Sequence, residues 1–426
     1  MNKDIPFVET IPLHWSVIPN RYLFYYDGKK VGEEHEKYQL LSLTTNGVKE
    51  RDINAAGGKV PASYDNYQTV KKGQMVFCLF DLDCSAVFSG ISNYDGMITS
   101  AYDVFSTTSK IDNEYADYWF KYIFSNRYYK MYSKNIRYTI TSDLFRSLKT
   151  PVPPMDEQKQ IGIFLREQER KIDILIANVQ EQIEKLKAYK QSLITEVVTK
   201  GLDPNVPMKD SGVEWIGEIP EDWEVAKLQY CATIRSGITL GKKYPEGIEL
   251  VERPYLRVAN VQNGGVTLDN LKTIEVSSEE DSQYRLSAGE VLMTEGGDRD
   301  KLGRGCVWQG QVEPCLHQNH IFALRTNSLL DPEFLAYVTA SKIGRVYFDI
   351  TAIKTTNLAC TNSSKVLAFK LPLPEVEDQK KMVDFLNHQT SKIDCLISTK
   401  QSKIEKLEQY KRSLIYEYVT GKKEVS

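Results

Sequence analysis

One stretch of this sequence occurs twice. Residues 158–199 read QKQIGIFLREQERKIDILIANVQEQIEKLKAYKQSLITEVVT, and residues 379–420 read QKKMVDFLNHQTSKIDCLISTKQSKIEKLEQYKRSLIYEYVT. When the chain is shifted by 221 residues without gaps, positions 150–199 match positions 371–420 at 25 of 50 places. Chance does not produce such agreement, so the chain contains an internal duplication. This duplication decides how the rest of the sequence is divided.

Both copies of the repeat predict a long helix. Proline is excluded from a helix interior, so the prolines before each copy predict a rigid, extended entry. A helix over 156–199 would be about 66 Å long at about 1.5 Å per residue. Apolar residues recur within it at spacings of three and four, which is the heptad pattern of paired helices. The residues predicted to pair the helices are Ile172, Ile176, Val179, Ile183, Leu186 and Leu193 in the first copy and Ile393, Ile397, Ile404, Leu407 and Leu414 in the second.

The heptad pattern allows more than one kind of pairing. A single pattern also fits a helix that packs on its own domain, and pairing between two chains in a homodimer is a further alternative. We favour pairing of the two helices with each other, because the copies have nearly the same length and the same register. A lysine interrupts the apolar pattern at the same place in each copy, at Lys190 and Lys411. We therefore expect these lysines to set the register or to bind a partner protein.

The two helices divide the chain into the order globule, helix, globule, helix. Helices are also predicted to open at Asn113-Glu114 and at Asp331-Pro332-Glu333. Apolar runs typical of strands occur in both globules, at Tyr38–Leu43, Met75–Phe80, Tyr255–Val261, Val291–Thr294, Cys306–Trp308 and Ile321–Arg325. The fold class is therefore α+β, with two mixed α/β domains separated by two long helices. The predicted boundaries are 1–149 and 202–370 for the globules, 150–201 for the central helix and 371–426 for the C-terminal helix.

Composition limits the class of protein. Of 426 residues, 41% are hydrophobic and 26% are charged, and the net charge of −3 does not by itself indicate a nucleic-acid-binding protein. No run of about 18 apolar residues is present, so no membrane span is expected. The first residues do not resemble a secretory signal. Seven cysteines without a Cys-x-x-Cys pair argue against a disulfide framework or a zinc ribbon and predict a reducing cytoplasm.

The motifs of common catalytic sites are missing from the sequence. It has no GxxxxGK[ST] phosphate loop, no dinucleotide-binding glycine turn and no Asp/Asn-Pro-Pro-aromatic motif of amino-methyltransferases. His317 and His320 have no third ligand nearby, so no metal site is predicted. Glu157-Gln-Lys159 and Asp378-Gln-Lys380 resemble half of a nuclease metal site, but they stand in the first helical turn, where acids stabilise the helix dipole. We therefore predict a non-catalytic chain without cofactor or metal.

Basic residues concentrate in one part of each globule. Between Trp119 and Lys149 there are seven basic residues and one acid, interleaved with tyrosines, and between Lys342 and Lys370 there are five basic residues and one acid. Aromatic rings stack on bases and basic side chains neutralise phosphates, so both segments are predicted to bind DNA. The alternative is a helix whose aromatic residues lie in the core and whose charges face solvent. The predicted DNA-binding residues are Lys121, Arg127, Tyr128, Lys130, Lys134, Arg137, Lys342, Arg345 and Lys354.

A polar, glycine-rich loop between Thr294 and Arg304 is a second candidate for DNA contact. Glycine allows close approach to a groove, Arg and Lys read guanine, acids accept from cytosine, and Asn and Gln read adenine. The alternative is an exposed hairpin with solvated charges. The predicted residues are Thr294, Glu295, Asp298, Arg299, Lys301 and Arg304, together with Gln318 and Asn319.

Three motifs together resemble the specificity subunits of type I restriction-modification enzymes. They are the repeated Pro-x-Pro-x-x-x-Glu/Asp-Gln-Lys entry with its Lys-Ile-Asp and Ile-Glu-Lys-Leu, the segment Tyr255-Leu-Arg-Val-Ala-Asn-Val261, and Leu292-Met-Thr-Glu-Gly-Gly-Asp298. The resemblance implies two target-recognition domains held apart by two antiparallel helices with pseudo-twofold symmetry. Each domain is then expected to read one half of a split, asymmetric DNA sequence.

The same resemblance implies partners for the chain. These are double-stranded DNA, two modification subunits that carry the methyltransferase, and restriction subunits that cleave DNA with ATP. The helices are then expected to set the spacing of the half-sites and to dock the modification subunits. Two alternatives are a specificity subunit of a modification-only system and a coiled-coil scaffold that does not bind DNA.

Overall fold

Each long helix is divided between two units of the fold. In the computed structural model, unit 1 consists of Met1–Gln180 and Gln401–Ser426, and unit 2 consists of Glu181–Lys400. Each unit therefore contains one globule and one half of each long helix. The structure describes residues 5–51, 63–133, 137–262, 264–297, 302–303, 305–354 and 359–425.

Unit 1 is built on a four-stranded antiparallel sheet in the order β2-β9-β6-β7. Smaller pairs form between β3 and β4, β5 and β8, and β1 and β10. The strands are β1 (Ser16–Pro19), β2 (Phe24–Tyr26), β3 (Leu41–Thr44), β4 (Gly47–Glu50), β5 (Gln68–Val70), β6 (Met75–Phe77), β7 (Ser89–Ile91), β8 (Gly96–Ile98), β9 (Asp103–Thr107) and β10 (Lys149–Val152), and the helices are α1 (Asn113–Ser125), α2 (Ser142–Ser147) and the first half of α3 (Met155–Lys200). The core between sheet and helices is aromatic, with Phe77, Phe105, Trp119, Phe120 and Phe145 buried.

Unit 2 repeats this plan with a sheet in the order β14-β23-β19-β21 and a second sheet in the order β18-β15-β22. The strands are β11 (Met208–Asp210), β12 (Glu218–Pro220), β13 (Glu224–Lys227), β14 (Ala232–Ser236), β15 (Leu250–Leu256), β16 (Val261–Gln262), β17 (Gly265–Val266), β18 (Lys272–Ser277), β19 (Val291–Thr294), β20 (Gly296–Gly297), β21 (Gly305–Val307), β22 (Leu316–His317), β23 (Ile321–Thr326), β24 (Ile353–Lys354), β25 (Ala359–Cys360) and β26 (Lys370–Leu373). The helices are α4 (Ser278–Tyr284), α5 (Pro332–Ala340), α6 (Lys342–Thr351), α7 (Ser363–Leu367) and α8 (Val376–Val419).

The two central sheets carry different polar side chains at equivalent places. In unit 1, buried Gln74 donates from its Nε2 to Asp27 Oδ2 (2.7 Å) and Ser106 Oγ (2.9 Å). In unit 2 the corresponding residue is Glu290, which is 3% exposed and accepts from Arg235 (2.9 Å) and Arg325 (3.1 Å). One scaffold therefore accepts opposite charge patterns, because each buried polar group keeps its hydrogen-bond partners.

The long helices pack antiparallel to each other within each unit. In unit 1 the ring centroids of Phe164 and Tyr418 are 4.6 Å apart. In unit 2, Lys400 donates to Gln182 (2.5 Å). The prediction that the two helices pair with each other is confirmed. Of the residues predicted to pair them, Ile172, Val179, Ile183, Ile393, Ile404 and Leu414 are buried, and Ile176, Leu186, Leu193, Ile397 and Leu407 are half-buried.

Most predicted strands are present, but their ends differ. Val291–Thr294 is a strand over the residues predicted. The prediction of a strand at Tyr255–Val261 is wrong between Leu256 and Val261, because the Asn260 side chain accepts the backbone N–H of Arg257 (2.9 Å) and closes a 3-10 turn. A side chain that bonds to nearby backbone competes with a strand ladder, and the apolar pattern does not reveal this.

Candidate nucleic-acid interface

In unit 2, distant segments meet at one end of the central sheet. The backbone N–H of Glu295, just after β19, donates to His320 O (2.9 Å), and the N–H of Thr361 donates to Glu295 O (2.8 Å). The N–H of Asn319 donates to Ile238 O (2.9 Å). These bonds join the end of β19, the turn before β23 and the segment after β25. We call the residues Glu295, Gln318, Asn319 and His320 at this end of the sheet the strand-end surface of unit 2.

Hydrogen-bonding groups dominate this surface. His320 Nδ1 lies 2.6 Å from Glu295 Oε2, and their side chains are 56% and 29% exposed. Gln318 and Asn319 are half-buried, and their backbone groups hold the turn in place. Amide and carboxylate groups on a rigid turn are suited to base edges, where Asn and Gln pair with adenine and Glu accepts from cytosine.

Thr294 does not belong to the surface. Its side chain is only 3% exposed, so the expectation that it contacts DNA is wrong. Because side chains alternate along a strand, Thr294 points into the sheet packing while the next residue, Glu295, reaches the surface.

Some predicted residues of the basic segments and of the glycine-rich loop lie elsewhere or outside the described part of the chain. Lys342 and Arg345 are exposed on α6, whose first backbone N–H donates to Thr195 Oγ1 of α3 (2.9 Å). That bond places the start of α6 beside the long helix. The predicted residues that lie outside the described part of the chain are Lys134, Asp298, Arg299, Lys301, Arg304 and the side chain of Lys354.

Unit 1 has an equivalent surface at the same end of its sheet. Ile140 N–H donates to Leu79 O (2.7 Å), which repeats the bond between Thr361 and Glu295 in unit 2. The loop after β6 then turns at Asp81, whose φ of 51° is left-handed. Its carbonyl accepts from the N–H groups of Cys84 (3.0 Å) and Ser85 (2.9 Å), so the loop is held rigid.

Basic residues from another segment surround this loop. Lys130 Nζ lies 2.7 Å and Arg127 Nη1 3.8 Å from Asp83 Oδ1. The hydrogen bond from Lys130 is the main reason that the pKa of Asp83 is lowered. Arg137 is exposed, and its carbonyl accepts from Leu82 N–H (3.1 Å). Arg127 is 66% exposed and keeps donors for a phosphate.

Three residues on this surface, Phe80, Asp83 and Tyr102, were not among the predicted DNA-binding residues. Phe80 is 41% exposed, and its ring stacks on Tyr102 with centroids 6.2 Å apart. The apolar run over Met75–Phe80 predicted that Phe80 is part of the strand, but β6 ends at Phe77. The adjacent Asp81-Leu-Asp83 turn is the signal that could have placed Phe80 in a loop. We call Phe80, Asp83, Tyr102, Arg127 and Lys130 the strand-end surface of unit 1.

The tyrosines between Trp119 and Lys149 are mainly core residues. Trp119, Tyr122 and Tyr129 are 0%, 3% and 2% exposed. The Tyr128 ring stacks on Phe7 with centroids 4.2 Å apart and an angle of 8°. The expectation that these rings stack on bases is therefore wrong, and the alternative of aromatic residues in the core holds. Burying such rings contributes more to folding than an exposed stacking platform could.

Lys121 is also committed to an internal contact. Its Nζ lies 3.2 Å from Asp117 and 3.5 Å from Glu169 on α3. Burial opposes the charge of Lys121, but the two carboxylates outweigh it and raise the pKa of the amine. Lys121 therefore joins the globule to the helix, and its contact with DNA stays a prediction.

A buried glutamine connects each globule to the start of its long helix. In unit 1, Gln158 is 1% exposed; its Nε2 donates to Pro153 O (2.8 Å) and Lys110 O (3.0 Å), and its Oε1 accepts from Asp112 N–H (2.7 Å). Asp112 in turn caps α1 by accepting from two backbone N–H groups. One side chain thus ties the entry prolines, the α1 cap and α3 together.

Gln379 repeats these bonds in unit 2. Its Nε2 donates to Pro374 O (2.8 Å) and Leu329 O (2.9 Å), and its Oε1 accepts from Asp331 N–H (2.8 Å). Asp331 caps α5 in the same way. The charges of the Glu/Asp-Gln-Lys motif predicted only acids that stabilise the helix dipole. The structure shows that the neutral glutamine of the motif makes the buried contact. Glu157 does more than cap: it accepts from Trp15 Nε1 (3.0 Å).

The remaining candidates are settled by burial and pairing. Lys190 and Lys411 each bond to an aspartate on the other long helix of their unit. His317 is fully buried while His320 is exposed, so the two imidazoles do not form a pair.

Among the described residues, no group of three His, Cys, Asp or Glu side chains is placed to hold a metal ion. No helix in the described part of the chain is long and apolar enough to cross a membrane.

The fold and these surfaces define a class of protein with two related globules on paired helices. Residues 220–409 match the family model of the type I restriction modification DNA specificity domain. The MjaVIII specificity subunit of Methanocaldococcus jannaschii is 30% identical over 295 residues, which are 66% of this chain and 64% of the relative. The EcoKI specificity subunit of Escherichia coli is 25% identical over 252 residues, 56% of this chain and 50% of the relative.

Solved structures have the same fold. A chain from a type I restriction-modification complex has a TM-score of 0.72 at 15% identity, with 97% of this chain and 99% of that chain covered. The HsdS subunit from Thermoanaerobacter tengcongensis has a TM-score of 0.53 at 14% identity, with 97% and 98% covered. In sequence and in fold, this chain is similar to the specificity subunits of type I restriction-modification enzymes. Its matches span about half to two thirds of the length of the curated relatives.

Proposed function

We propose that this chain is the non-catalytic subunit that selects the DNA sequence of a type I restriction-modification complex, with each globule reading one half of a bipartite, asymmetric site. The observation that carries the proposal is the pair of strand-end surfaces. An equivalent backbone hydrogen bond supports each surface. It joins Ile140 N–H to Leu79 O in unit 1 and Thr361 N–H to Glu295 O in unit 2. One scaffold with two sets of surface side chains is what an asymmetric site requires.

The chemistry of the two surfaces supports different half-sites. Unit 2 presents Glu295, Gln318 and Asn319, which suit the donors and acceptors of cytosine and adenine. Unit 1 presents Phe80 and Arg127. A phenylalanine on the major-groove floor has an apolar partner only in the methyl group of thymine, and an exposed arginine suits guanine or a phosphate. We therefore expect the unit 1 half-site to contain an A·T pair.

The long helices serve as the spacer in this proposal. Helix α3 has 46 residues and is about 69 Å long at about 1.5 Å per residue. Half-sites one DNA turn apart are separated by about 34–36 Å. A rigid pair of helices in one register allows one half-site spacing and rejects others.

Two modification subunits and the restriction subunits complete the proposed complex. Methylation and cleavage belong to those partners, and the chain contributes recognition and assembly. A net charge of −3 suits a subunit whose partners supply most phosphate contacts. In a modification-only system, the same chain would work without restriction subunits. If the chain were instead a scaffold that binds only protein, its expression would produce no newly methylated DNA motif.

The test is sequencing of methylated bases in single DNA molecules from cells that express this chain with its modification subunit. Cells that express the modification subunit with the Asn319→Ala variant provide the matched control. We expect a split motif that appears only with this chain, and relaxation of one position in one half of it with the variant. A complex that assembles but methylates no new motif would overturn the proposal in favour of the scaffold.

A further inference from the structure

One aromatic ring is exposed on the strand-end surface of unit 1, directly after a buried run of the chain. Phe80 is 41% exposed, whereas the five residues before it, from Met75 to Leu79, are all buried. A single exposed apolar residue is common and by itself indicates no function. The role of Phe80 follows from its backbone, from the ring that supports it and from the charges beside it.

Hydrogen bonds fix the backbone on both sides of Phe80. Before it, Leu79 O accepts from Ile140 N–H (2.7 Å). After it, Asp81 N–H donates to Thr139 Oγ1 (3.4 Å). Both bonds lead to the same neighbouring segment, so the ring projects from a fixed point of the globule. A side chain on a pre-organised backbone loses little conformational freedom when it contacts a ligand.

A second ring supports Phe80 from one side. The ring centroids of Phe80 and Tyr102 are 6.2 Å apart with an angle of 27° between the planes, which is offset stacking. Tyr102 packs on the hydrophobic cluster that contains Val76 and Val104, and its carbonyl accepts from Gln68 Nε2. Tyr102 is therefore anchored in the globule and braces the ring of Phe80. The exposed part of that ring is left for a ligand.

The charges beside Phe80 suit a ligand that carries phosphates. The loop and the segments bonded to it contain three basic residues and two acids, which are Arg127, Lys130 and Arg137 and Asp81 and Asp83. Lys130 and Arg127 both lie beside Asp83 and compensate its charge. Arg127 and Arg137 remain exposed. An apolar ring bordered by cations is complementary to bases bordered by phosphates.

Unit 2 has no room for a side chain at the equivalent position. The residue that follows the equivalent backbone hydrogen bond there is Gly296. A Cβ atom on Gly296 would lie 2.8 Å from Cys360 Sγ and 3.2 Å from Ala359 O. The strand pairing of Gly296 with Cys360 therefore fills the space that Phe80 occupies in unit 1. The two strand-end surfaces differ in shape as well as in charge.

We propose that Phe80 inserts into the base stack of the unit 1 half-site as an apolar wedge and kinks the DNA at that step. Apolar side chains that partly unstack a base step kink DNA by about 20–90°. Pyrimidine–purine steps, which are TA and CA/TG, unstack most easily, and each contains an A·T pair. This inference rests on the proposed function and deepens it, because unit 1 then selects its half-site by deformability as well as by base edges.

Bending of DNA by the assembled complex tests the proposal. A short duplex with the methylated motif and a fluorophore at each end reports the bend by energy transfer at saturating protein. Phe80→Ala should lower the bend by at least about 20° and weaken binding about tenfold, whereas Phe80→Trp should keep the bend. Leu13→Ala is the matched control, because Leu13 is fully exposed and precedes His14, which bonds to Glu157 at the start of α3 (3.0 Å).

Permanganate, which oxidises unstacked thymines, locates the kinked step. Reactivity should appear in the half-site that Asn319→Ala leaves unchanged, and it should disappear with Phe80→Ala. Reactivity confined to the other half-site would contradict the proposal.

Uracil in place of thymine separates insertion from a contact with the thymine methyl group. Insertion keeps the bend on uracil-containing DNA. A methyl contact alone would give the same bend for Phe80→Ala as for the unchanged chain, with a loss of binding that disappears on uracil-containing DNA. That result would overturn the wedge and leave the split motif standing. A complex that assembles but methylates no split motif would overturn the proposed function, and the wedge with it.

Discussion

The Nζ of Lys190 lies 2.7 Å and 2.6 Å from the two carboxylate oxygens of Asp394 on the opposite helix. The repeat shift of 221 residues converts this pair into Lys411 and Asp173, which also bond at 2.9 Å. A lysine in the apolar seam weakens the packing of the two helices at that level. An ion pair with an aspartate of the opposite helix compensates for the lost packing, and it forms only in the register that places the two side chains opposite each other. The seam lysines therefore have a structural role within the chain, and their binding of a partner protein stays a prediction.

Reversing the charge of Lys190 should lower stability, and reversing both partners should restore it. Lys190 and Asp394 are 29% and 57% exposed, so we expect Lys190→Glu to cost about 1 kcal/mol of the free energy of unfolding, since exposed pairs contribute little. The double variant Lys190→Glu, Asp394→Lys should recover most of it. Denaturant unfolding in a double-mutant cycle gives the coupling energy.

The matched control is the pair of Lys185 and Glu181, which are 73% and 63% exposed on one helix. Its reversal should change stability less than the reversal of Lys190 does, because exposed ion pairs contribute little. If the Lys190 cycle shows no more coupling than this control, the ion pair does not set the register. The combination Lys190→Glu, Lys411→Glu should also weaken co-purification with the modification subunit, and unchanged co-purification would refute partner binding by these lysines.

Replacing Gln158 or Gln379 with leucine should destabilise the chain strongly. Each change leaves a buried backbone N–H and two carbonyls without their partner, at about 1–3 kcal/mol for a buried unsatisfied group. We expect a loss of about 3 kcal/mol for each variant, measured by urea unfolding. Gln180→Leu is the control, because Gln180 is exposed and has the same identity in the second copy. Equal stabilities of the Gln158 and Gln180 variants would contradict the role of the buried contact.

Acid should weaken unit 2 through His317. Burial, with a smaller contribution from the charge of Arg235, lowers the pKa of His317 to about 4. The folded chain therefore keeps the ring neutral while the unfolded chain takes up a proton below pH of about 6.5, so stability is lost as the pH falls from about 6.5 to 4. Between pH 7 and 4.5 this contribution is roughly 2.5 kcal/mol, at about 1.36 kcal/mol per pH unit.

The His317→Leu variant isolates that contribution. Its free energy of unfolding should fall less between pH 7 and 4.5 than that of the unchanged chain. His320→Leu serves as control, because His320 is 56% exposed. Identical acid sensitivity of the His317 variant and the unchanged chain would show that His317 is not the proton acceptor.

Two surface variants should separate base reading from phosphate binding. Asn319→Ala should cost about 1–3 kcal/mol at one base pair and relax specificity there, because a bidentate contact to adenine is lost. Arg127→Ala should weaken binding to all sequences and lower the salt slope by about 1, as expected of a phosphate contact. Filter binding of the assembled complex at several salt concentrations measures both. If Asn319→Ala instead weakened binding to all DNA sequences equally, Asn319 would contact the DNA backbone and not a base.

The segment from Trp119 to Lys149 shows that a local sequence pattern does not predict whether an aromatic ring is buried. Composition identified a basic, aromatic segment, and it predicted stacking on bases as one of two interpretations. Whether a ring is buried depends on what the fold packs against it, here Phe7 on Tyr128, from more than a hundred residues away. Such long-range packing leaves no local periodicity.

The sequence by itself determined the duplication, the two long helices and their pairing, because heptad spacing and repeat register are properties of neighbouring residues. Tertiary structure alone decided which polar side chains meet. It brought Glu295 beside His320 and Arg127 beside Asp83, and it turned a motif glutamine, Gln158, into the buried connection between globule and helix. Those contacts form between segments far apart in the chain, so only the packing of the sheets and helices specifies them.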